Sequence, residues 1–166
     1  MATFLETALI KKNINIIKNT GIAQIHDNKV ILENGTEVVS DMVIMATGVK
    51  PNVMLAKNAG IEIGVTGAIK VNKKMQTNIE DIYSCGDCIE TFSVVTGKAV
   101  YRPLGSTANK TGRIAGDVLS GGNLEYRGNL STGIFKLFDL AIASTGLSEK
   151  EAKEEIGRAS CRERVS

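Results

Sequence analysis

A glycine and an aspartate stand together at the end of a short apolar stretch, and their types suit ligand binding. Residues 81–85 contain isoleucine, tyrosine and cysteine, which favour a buried, extended backbone, and Gly86 and Asp87 follow. Gly86 lacks a Cβ, so a ligand can approach the backbone where the predicted strand ends. In an open parallel sheet ligands collect at such ends, where the Asp87 carboxylate could accept hydrogen bonds from sugar-type hydroxyls. A Gly-Asp turn that caps a helix is the alternative.

A second strand end of this kind is predicted upstream. Residues 42–46 are continuously apolar, as in a central strand covered on both faces, and Thr47 and Gly48 follow them. The small residues Ala46, Thr47 and Gly48 would let the phosphate or ribose of a dinucleotide pack against the backbone. A tight strand exit without a ligand is the alternative.

The third candidate is the start of a helix predicted after Pro103. Ser106 or Thr107 could cap this helix, which would end at Gly121 and Gly122. Unpaired amides and the positive end of the helix dipole at its N-terminus favour electron-rich oxygens. An ordinary capped surface helix is the alternative.

In this order the three stretches resemble the pyridine nucleotide-disulfide oxidoreductases, flavoproteins with two dinucleotide-binding domains that include NADH oxidases and coenzyme A-disulfide reductases. The resemblance runs from about Phe4 to Lys153 and corresponds to the C-terminal part of such an enzyme. It implies an α/β fold with partial FAD- and NAD(P)-binding Rossmann-type domains, followed by the start of an α+β interface domain that forms a homodimer. The residues that it places at the cofactors are Gly48, Gly86, Asp87, Leu104, Gly105, Ser106, Thr107 and Ala108.

The resemblance also assigns roles. Asp87 would accept hydrogen bonds from the ribityl hydroxyls of FAD, and the helix after Pro103 would point at the pyrimidine edge of the flavin. Hydride would pass from NAD(P)H through FAD to a disulfide, a peroxide or dioxygen, which makes the substrate a small molecule. The redox-active cysteine of the family lies upstream of the matched part, so no catalytic residue is expected in this chain.

One motif of a complete enzyme is missing from the sequence. No G-x-G-x-x-G follows a strand, although a Rossmann unit uses such a turn to hold a pyrophosphate. We therefore expect part of an enzyme that is inactive alone. A free-standing, non-catalytic module that binds a nucleotide or mediates oligomerisation is the alternative hypothesis.

The cysteines raise the alternatives of a redox pair and a metal site. Cys85 and Cys88 form a C-x-x-C, which could be a redox pair or half of a zinc site. Zinc would need further ligands, and the remaining cysteine and histidine are Cys161 and His26. Because the resemblance assigns Asp87, inside the C-x-x-C, to a cofactor, we expect neither site and no bound metal. His26 is predicted to be a surface residue.

Hydrophobic periodicity predicts the elements that position these residues. Helices are predicted over residues 3–12, after Pro51, after Pro103 and after Ser148, and strands over 14–17, 21–25, 29–32, 42–46, 61–63, 67–71, 81–85, 132–138 and 140–145. With the resemblance they form four segments: the end of the NAD(P)-binding domain (1–48), the end of the FAD-binding domain (49–122), the start of the interface domain (123–154) and a non-native tail (155–166). The tail resembles a translated sequencing-adapter read-through, so Cys161 is given no role.

The composition is that of an ordinary globular chain. Its 166 residues are 43% hydrophobic and 23% charged, with a formal net charge of +2. Lysines and arginines are scattered among acids without interleaved aromatics, so we expect no nucleic-acid partner. No apolar run approaches the about 20 residues that span a bilayer, and no signal peptide is recognisable, so we expect no membrane partner and a cytoplasmic location.

Overall fold

The computed structural model describes residues 2–157. They belong to two compact units, of which the first ends at Gly48 and the second begins at Val49. No helix in this described part of the chain is long and apolar enough to cross a membrane.

The first unit is a helix followed by a three-stranded antiparallel sheet. Its elements are α1 (Ala2–Lys11), β1 (Ile22–Ile25), β2 (Lys29–Leu32) and β3 (Glu37–Val39), and the strand order is β1-β2-β3. The register pairs Ile25 with Val30 and Val30 with Val38. The structure confirms the predicted helix and the hairpin β1–β2, whereas β3 had not been predicted.

Two strands predicted in the first unit are wrong. Residues 14–17 and 42–46 form no strand, and Met42 and Ile44 are 78% and 82% exposed. A central strand is held by ladders on both sides, and nothing in the described part of the chain pairs with residues 42–46. An apolar composition without neighbouring strands therefore leaves this segment without regular secondary structure and largely exposed.

The second unit combines short hairpins with three helices and one 3₁₀ turn. Its elements are α2 (Met54–Asn58), the 3₁₀ turn Gly86–Cys88, β4 (Thr91–Phe92), β5 (Ala99–Val100), α3 (Gly105–Leu119), β6 (Gly133–Leu137), β7 (Leu140–Ser144) and α4 (Glu149–Ile156). The pairs β4–β5 and β6–β7 are both antiparallel. The hairpin β6–β7 confirms the two strands predicted there.

A small apolar core holds the second unit together. Its buried members are Val53, Ala56, Ile69, Met75, Ile89, Ala115 and Tyr126. The rings of Phe92 and Tyr126 meet edge to face, with centroids 5.9 Å apart. Because α3 contributes Ala115 and the segment after the 3₁₀ turn contributes Ile89, this core fixes the two elements on one body.

The predicted strand 81–85 is also wrong. Tyr83 makes only an isolated bridge with Gln76, and Asp81 has a left-handed backbone with φ 63°. The strands predicted over 61–63 and 67–71 are likewise reduced to isolated bridges at Ile63 and Ile69. As with residues 42–46, the apolar pattern is present but the neighbouring strands that would complete a ladder are not among the described residues.

The C-terminal helix carries a complete capping box. The Ser148 hydroxyl accepts a hydrogen bond from the Glu151 amide, and the Glu151 carboxylate accepts one from the Ser148 amide. The helix continues to Ile156, and Glu155 pairs with Lys98 at 2.7 Å, so α4 includes the first residues of the predicted tail. Residues 158–166, with Cys161, lie outside the described residues.

Candidate functional site

The predicted ligand-binding pair lies in the 3₁₀ turn Gly86–Cys88, which we call the Gly-Asp turn. Cys85 enters it with extended backbone, and Gly86 then takes φ 84°, a left-handed conformation that favours glycine. Open space lies where a side chain at Gly86 would project. Asp87 is exposed. The sharp change of backbone direction at Gly86 therefore presents the Asp87 carboxylate at the surface.

The first turn of α3 is the second part of the site. Leu104 is the N-cap residue and its backbone is extended, and no side chain caps the helix. The cap predicted at Ser106 or Thr107 is wrong, because the helix begins at Gly105 and both residues lie inside its first turn. The Ala108 amide makes the first helical bond, 2.9 Å to Leu104 O. The amides before it have no carbonyl further back in the helix to bond, which leaves them available to a ligand.

A single buried side chain connects these two parts. The Gly86 amide donates a hydrogen bond of 3.1 Å to Thr111 Oγ1, and Thr111 lies one turn along α3. The Thr111 hydroxyl in turn donates to Thr107 O at 2.9 Å. The structure thus brings together the predicted residues of the Gly-Asp turn and of the first turn of α3.

A buried polar network supports the first turn of α3 from inside. Asn129 Nδ2 donates to Thr107 Oγ1 at 3.0 Å, and both residues are buried. Burial raises the pKa of Tyr126, and hydrogen bonds with Thr107 and Asn129 oppose part of the rise. Because the Thr107 side chain is engaged in this network, only its backbone is available to a ligand.

The charge of the Asp87 carboxylate acts on Tyr101. Burial raises the pKa of Tyr101, and the negative charges of Asp87 and Cys88 raise it further. Tyr101 belongs to the loop that leads into α3, so this loop is electrostatically coupled to the Gly-Asp turn.

The loop before α3 is itself tied to the C-terminal part of the chain. Arg102 Nε donates to Ser131 Oγ at 3.0 Å, and Arg102 Nη2 pairs with Glu151 of α4 at 2.8 Å. The pair is part-exposed, so it contributes more to orientation than to stability. It fixes the direction in which residues 101–104 approach the helix.

Gly48, the remaining predicted contact, ends the first unit. Its backbone is left-handed, with φ 95°, and open space lies where a side chain would be. It is exposed. These properties fit the close approach of a ligand to the backbone, as predicted for this position.

The cysteine pair packs inward. Cys85 and Cys88 are free thiols, half-buried, and both pack against the core of the second unit. Cys88 Sγ lies 3.6 Å from Ser84 Oγ. Within residues 2–157 no group of three or more histidine, cysteine or acidic side chains is placed to hold a metal ion. His26 is exposed, as predicted, with Gln24 Oε1 at 3.3 Å.

A pocket of about 520 Å³ lies elsewhere in the second unit, between Lys70, Lys73, Met75, Phe92 and Tyr126 among others. None of the predicted site residues lines it. The candidate site is therefore defined by the geometry of a turn and a helix end and not by this pocket.

Comparison with known proteins gives the chain its context. The sequence model of the family "Pyridine nucleotide-disulphide oxidoreductase" matches residues 1–111. A protein of Pyrococcus furiosus named NAD(P)H sulfur oxidoreductase (CoA-dependent) is 50% identical over 125 residues, which are 75% of this chain and 28% of the relative. An NADH oxidase of Methanocaldococcus jannaschii is 38% identical over 151 residues, 89% of this chain and 34% of the relative.

A solved structure extends the similarity to the fold. The NAD-dependent persulfide reductase from A. fulgidus superimposes with a TM-score of 0.88 at 43% identity, over 93% of this chain and 29% of its own. The chain spans about a third of the length of these relatives. Because the family model matches well over half of the sequence, and the superposition includes nearly all of it, the chain belongs to the pyridine nucleotide-disulfide oxidoreductases and has the α/β fold of part of their Rossmann-type domains.

Proposed function

We propose that the chain is part of an FAD-dependent oxidoreductase that passes hydride from NAD(P)H through FAD to a small disulfide, a peroxide or dioxygen. The observation that carries the proposal is the 3.1 Å bond from the Gly86 amide to Thr111 Oγ1, which brings the Gly-Asp turn beside the first turn of α3. The relatives named NAD(P)H sulfur oxidoreductase, NADH oxidase and coenzyme A disulfide reductase support this class of reaction.

The residues at the site fit a flavin. Asp87 offers an exposed carboxylate, and among the described residues no hydrogen bond occupies it, so it can accept bonds from a chain of hydroxyls. The uncapped first turn of α3 offers backbone amides and the positive end of a helix dipole, which suit an electron-rich ring edge. Open space at Gly86 and Gly105 leaves room for close approach. FAD bound here would supply the capacity to accept and donate a hydride.

The proposed contacts from this chain orient a cofactor and do not anchor it. In the second unit they are Gly86, Asp87, Leu104, Gly105, Ser106, the backbone of Thr107 and Ala108, and in the first unit Gly48 is proposed by itself as a position of close approach to a nucleotide. The sequence contains no G-x-G-x-x-G turn for a pyrophosphate, so in our proposal other segments of the full-length enzyme anchor both dinucleotides and provide the redox cysteine.

We further propose that the full-length enzyme is a homodimer and that β6–β7 contributes to its interface. Ile134 and Phe135, which project to opposite faces of the hairpin, are 76% and 54% exposed. Apolar groups on both faces of a two-stranded sheet favour a protein partner that covers them. The same observation favours the second candidate function, a non-catalytic oligomerisation module.

A hybrid enzyme tests the proposal. This chain would replace the matching segment of the Pyrococcus furiosus relative, to which it is 50% identical, and the unaltered relative would be the control. We expect the purified hybrid to carry flavin, seen by its visible absorbance, and to oxidise NADH with coenzyme A disulfide, a peroxide or dioxygen as acceptor. A hybrid that is folded by circular dichroism but holds no flavin would contradict the proposal. Self-association without flavin would support the oligomerisation module instead.

A further inference from the structure

Thr111 is a fully buried polar residue in the middle of α3, and its hydroxyl group both accepts and donates a hydrogen bond. It accepts a hydrogen bond from the Gly86 amide at 3.1 Å and donates to Thr107 O at 2.9 Å, with Ala108 O at 3.1 Å as a second acceptor. The partner in the Gly-Asp turn lies 25 residues away in the sequence.

The helix alone gives no reason for a threonine at this position. β-Branched residues are weaker helix formers than alanine or leucine, and a threonine hydroxyl that bonds a carbonyl one turn back slightly destabilises a helix. The gain lies in the contact with Gly86, which an apolar residue of the same shape could not make. Donation to Thr107 O also polarises the Thr111 hydroxyl, which strengthens it as an acceptor for the Gly86 amide.

The Gly-Asp turn is joined to the rest of the second unit by backbone bonds on either side of Gly86 and Asp87. The Ser84 amide bonds Met75 O at 2.9 Å, and Cys88 O accepts the Ile69 amide at 2.9 Å. Between these anchors, Gly86 has the flexible backbone of a glycine and Asp87 is exposed. The bond to Thr111 therefore restrains the middle of the turn.

We propose that Thr111 is a positioning residue that fixes the Asp87 carboxylate relative to the first turn of α3, an inference that rests on the proposed flavin site. Asp87 would contact the polyol of the cofactor, and the amides of the first turn of α3 would contact its ring. A change in the distance between Asp87 and these amides would therefore weaken both sets of contacts at once. Thr111 itself touches no cofactor, because it is buried.

Hydrogen exchange of the full 166-residue chain tests the restraint. In Thr111→Val, which keeps the shape and removes the hydroxyl, the peptide that contains Gly86 should exchange about tenfold faster, since one hydrogen bond of ordinary strength is lost. Thr111→Ser should restore the slow exchange. Unchanged exchange in the valine variant, or fast exchange in the serine variant, would overturn the proposal.

Flavin affinity of the hybrid enzyme tests the consequence. We expect Thr111→Val to raise the dissociation constant of FAD about tenfold and Thr111→Ser to leave it within about twofold. Thr7→Val is the matched control, because it removes a helical threonine hydroxyl that donates to the carbonyl one turn back, Thr3 O at 2.9 Å, in α1 of the first unit. A purely structural Thr111 would lower the melting temperature without changing FAD affinity below the transition.

The outcomes separate this inference from the proposed function. A hybrid that binds FAD equally well with threonine and with valine at position 111 would overturn the positioning role and leave the proposed function standing. A folded hybrid that binds no FAD with threonine would overturn the proposed function and, with it, the role of Thr111.

Discussion

The Asp87 carboxylate is held at the surface by a glycine turn and is free to accept hydrogen bonds from a ligand. In the hybrid enzyme, Asp87→Ala should therefore weaken FAD retention by on the order of 1 to 3 kcal/mol, the range for a lost charge-assisted bond. Equilibrium dialysis of flavin measures the effect. Cys88→Ser in the same turn is the control and should do much less. If the cysteine variant lost activity and the aspartate variant kept its flavin content, the interpretation as a flavin site would be wrong and a redox role for the cysteine pair would be favoured.

Tyr126 gives the chain a predictable response to alkaline pH. Because burial raises its pKa, the folded protein keeps the Tyr126 proton at a pH where the unfolded chain, with a tyrosine pKa of about 10, has released it. This contribution to stability is therefore complete below about pH 10 and is lost as pH rises through the folded pKa. Urea unfolding at several pH values should show a shallower alkaline decline for Tyr126→Phe than for the natural chain. The same alkaline decline in the free energy of unfolding of both proteins would contradict this prediction. The hydrogen bonds of the lost hydroxyl change the free energy of unfolding by an amount that does not depend on pH below the tyrosine pKa.

At the level of single residues, the sequence indicated candidate residues that a local pattern marks. It gave no indication of residues that contact the site from a distant part of the chain. Gly86 and Asp87 follow an apolar run and are recognisable locally. Thr111 bonds the Gly-Asp turn across the fold, and no local pattern marks such a contact. A β-branched polar residue inside a helix was the one available signal for Thr111. The prediction of an α3 cap at Ser106 was wrong because Ser106 lies within the first turn of the helix.

Elements that local interactions stabilise were predicted correctly, whereas predicted strands that need distant neighbours did not form. Helices α1 and α4 and the hairpins β1–β2 and β6–β7 depend on periodicity, capping and short turns, which the sequence displays. Residues 42–46 and 81–85 have the composition of buried parallel strands, but a strand exists only in a ladder. The strands predicted from this apolar pattern did not form, because the described residues supply no neighbouring strands for them.

Helix α4 offers a test of local capping. Ser148→Ala removes the hydroxyl that accepts the Glu151 amide and should destabilise α4 by about 1 kcal/mol. Hydrogen exchange of peptides from α4 measures the effect. Ser120→Ala, at the exposed end of α3, is the control and should leave α4 unchanged. Equal exchange of α4 in both variants would show that the cap contributes nothing.

The same change has an electrostatic signature. The hydrogen bond from the Ser148 backbone amide is the largest cause that holds the pKa of Glu151 below its ordinary value, the Ser148 side chain is the next, and Arg102 assists. A depressed carboxyl pKa stabilises the folded helix above the unfolded pKa, and this is lost as pH falls through the folded pKa. Ser148→Ala should therefore move the Glu151 titration upwards, as followed by carboxyl NMR shifts. An unchanged titration would assign the depression to the backbone amide of residue 148 and to Arg102.

For the whole molecule, the exposed apolar groups indicate how the chain behaves without neighbours. Val39 and Ile44 in the first unit are each 82% exposed, and Leu55 in the second is 85% exposed. Together with unpaired strand edges, such surface favours association. We expect the isolated chain to self-associate in a concentration-dependent way, measurable by sedimentation velocity. A monodisperse monomer at high concentration would contradict this.

The isolated chain should neither hold FAD tightly nor oxidise NADH. Dinucleotide sites derive much of their affinity from amides at a Gly-rich turn that hold the pyrophosphate, and this sequence has no such turn for either cofactor. Asp87 and the first turn of α3 offer only the contacts that orient a flavin anchored elsewhere. Equilibrium dialysis of FAD and absorbance at the nicotinamide band, with free flavin as the control, measure both properties. Submicromolar FAD binding with turnover well above that of free flavin would show that these contacts suffice for anchoring, and the division between orienting and anchoring segments would then be wrong.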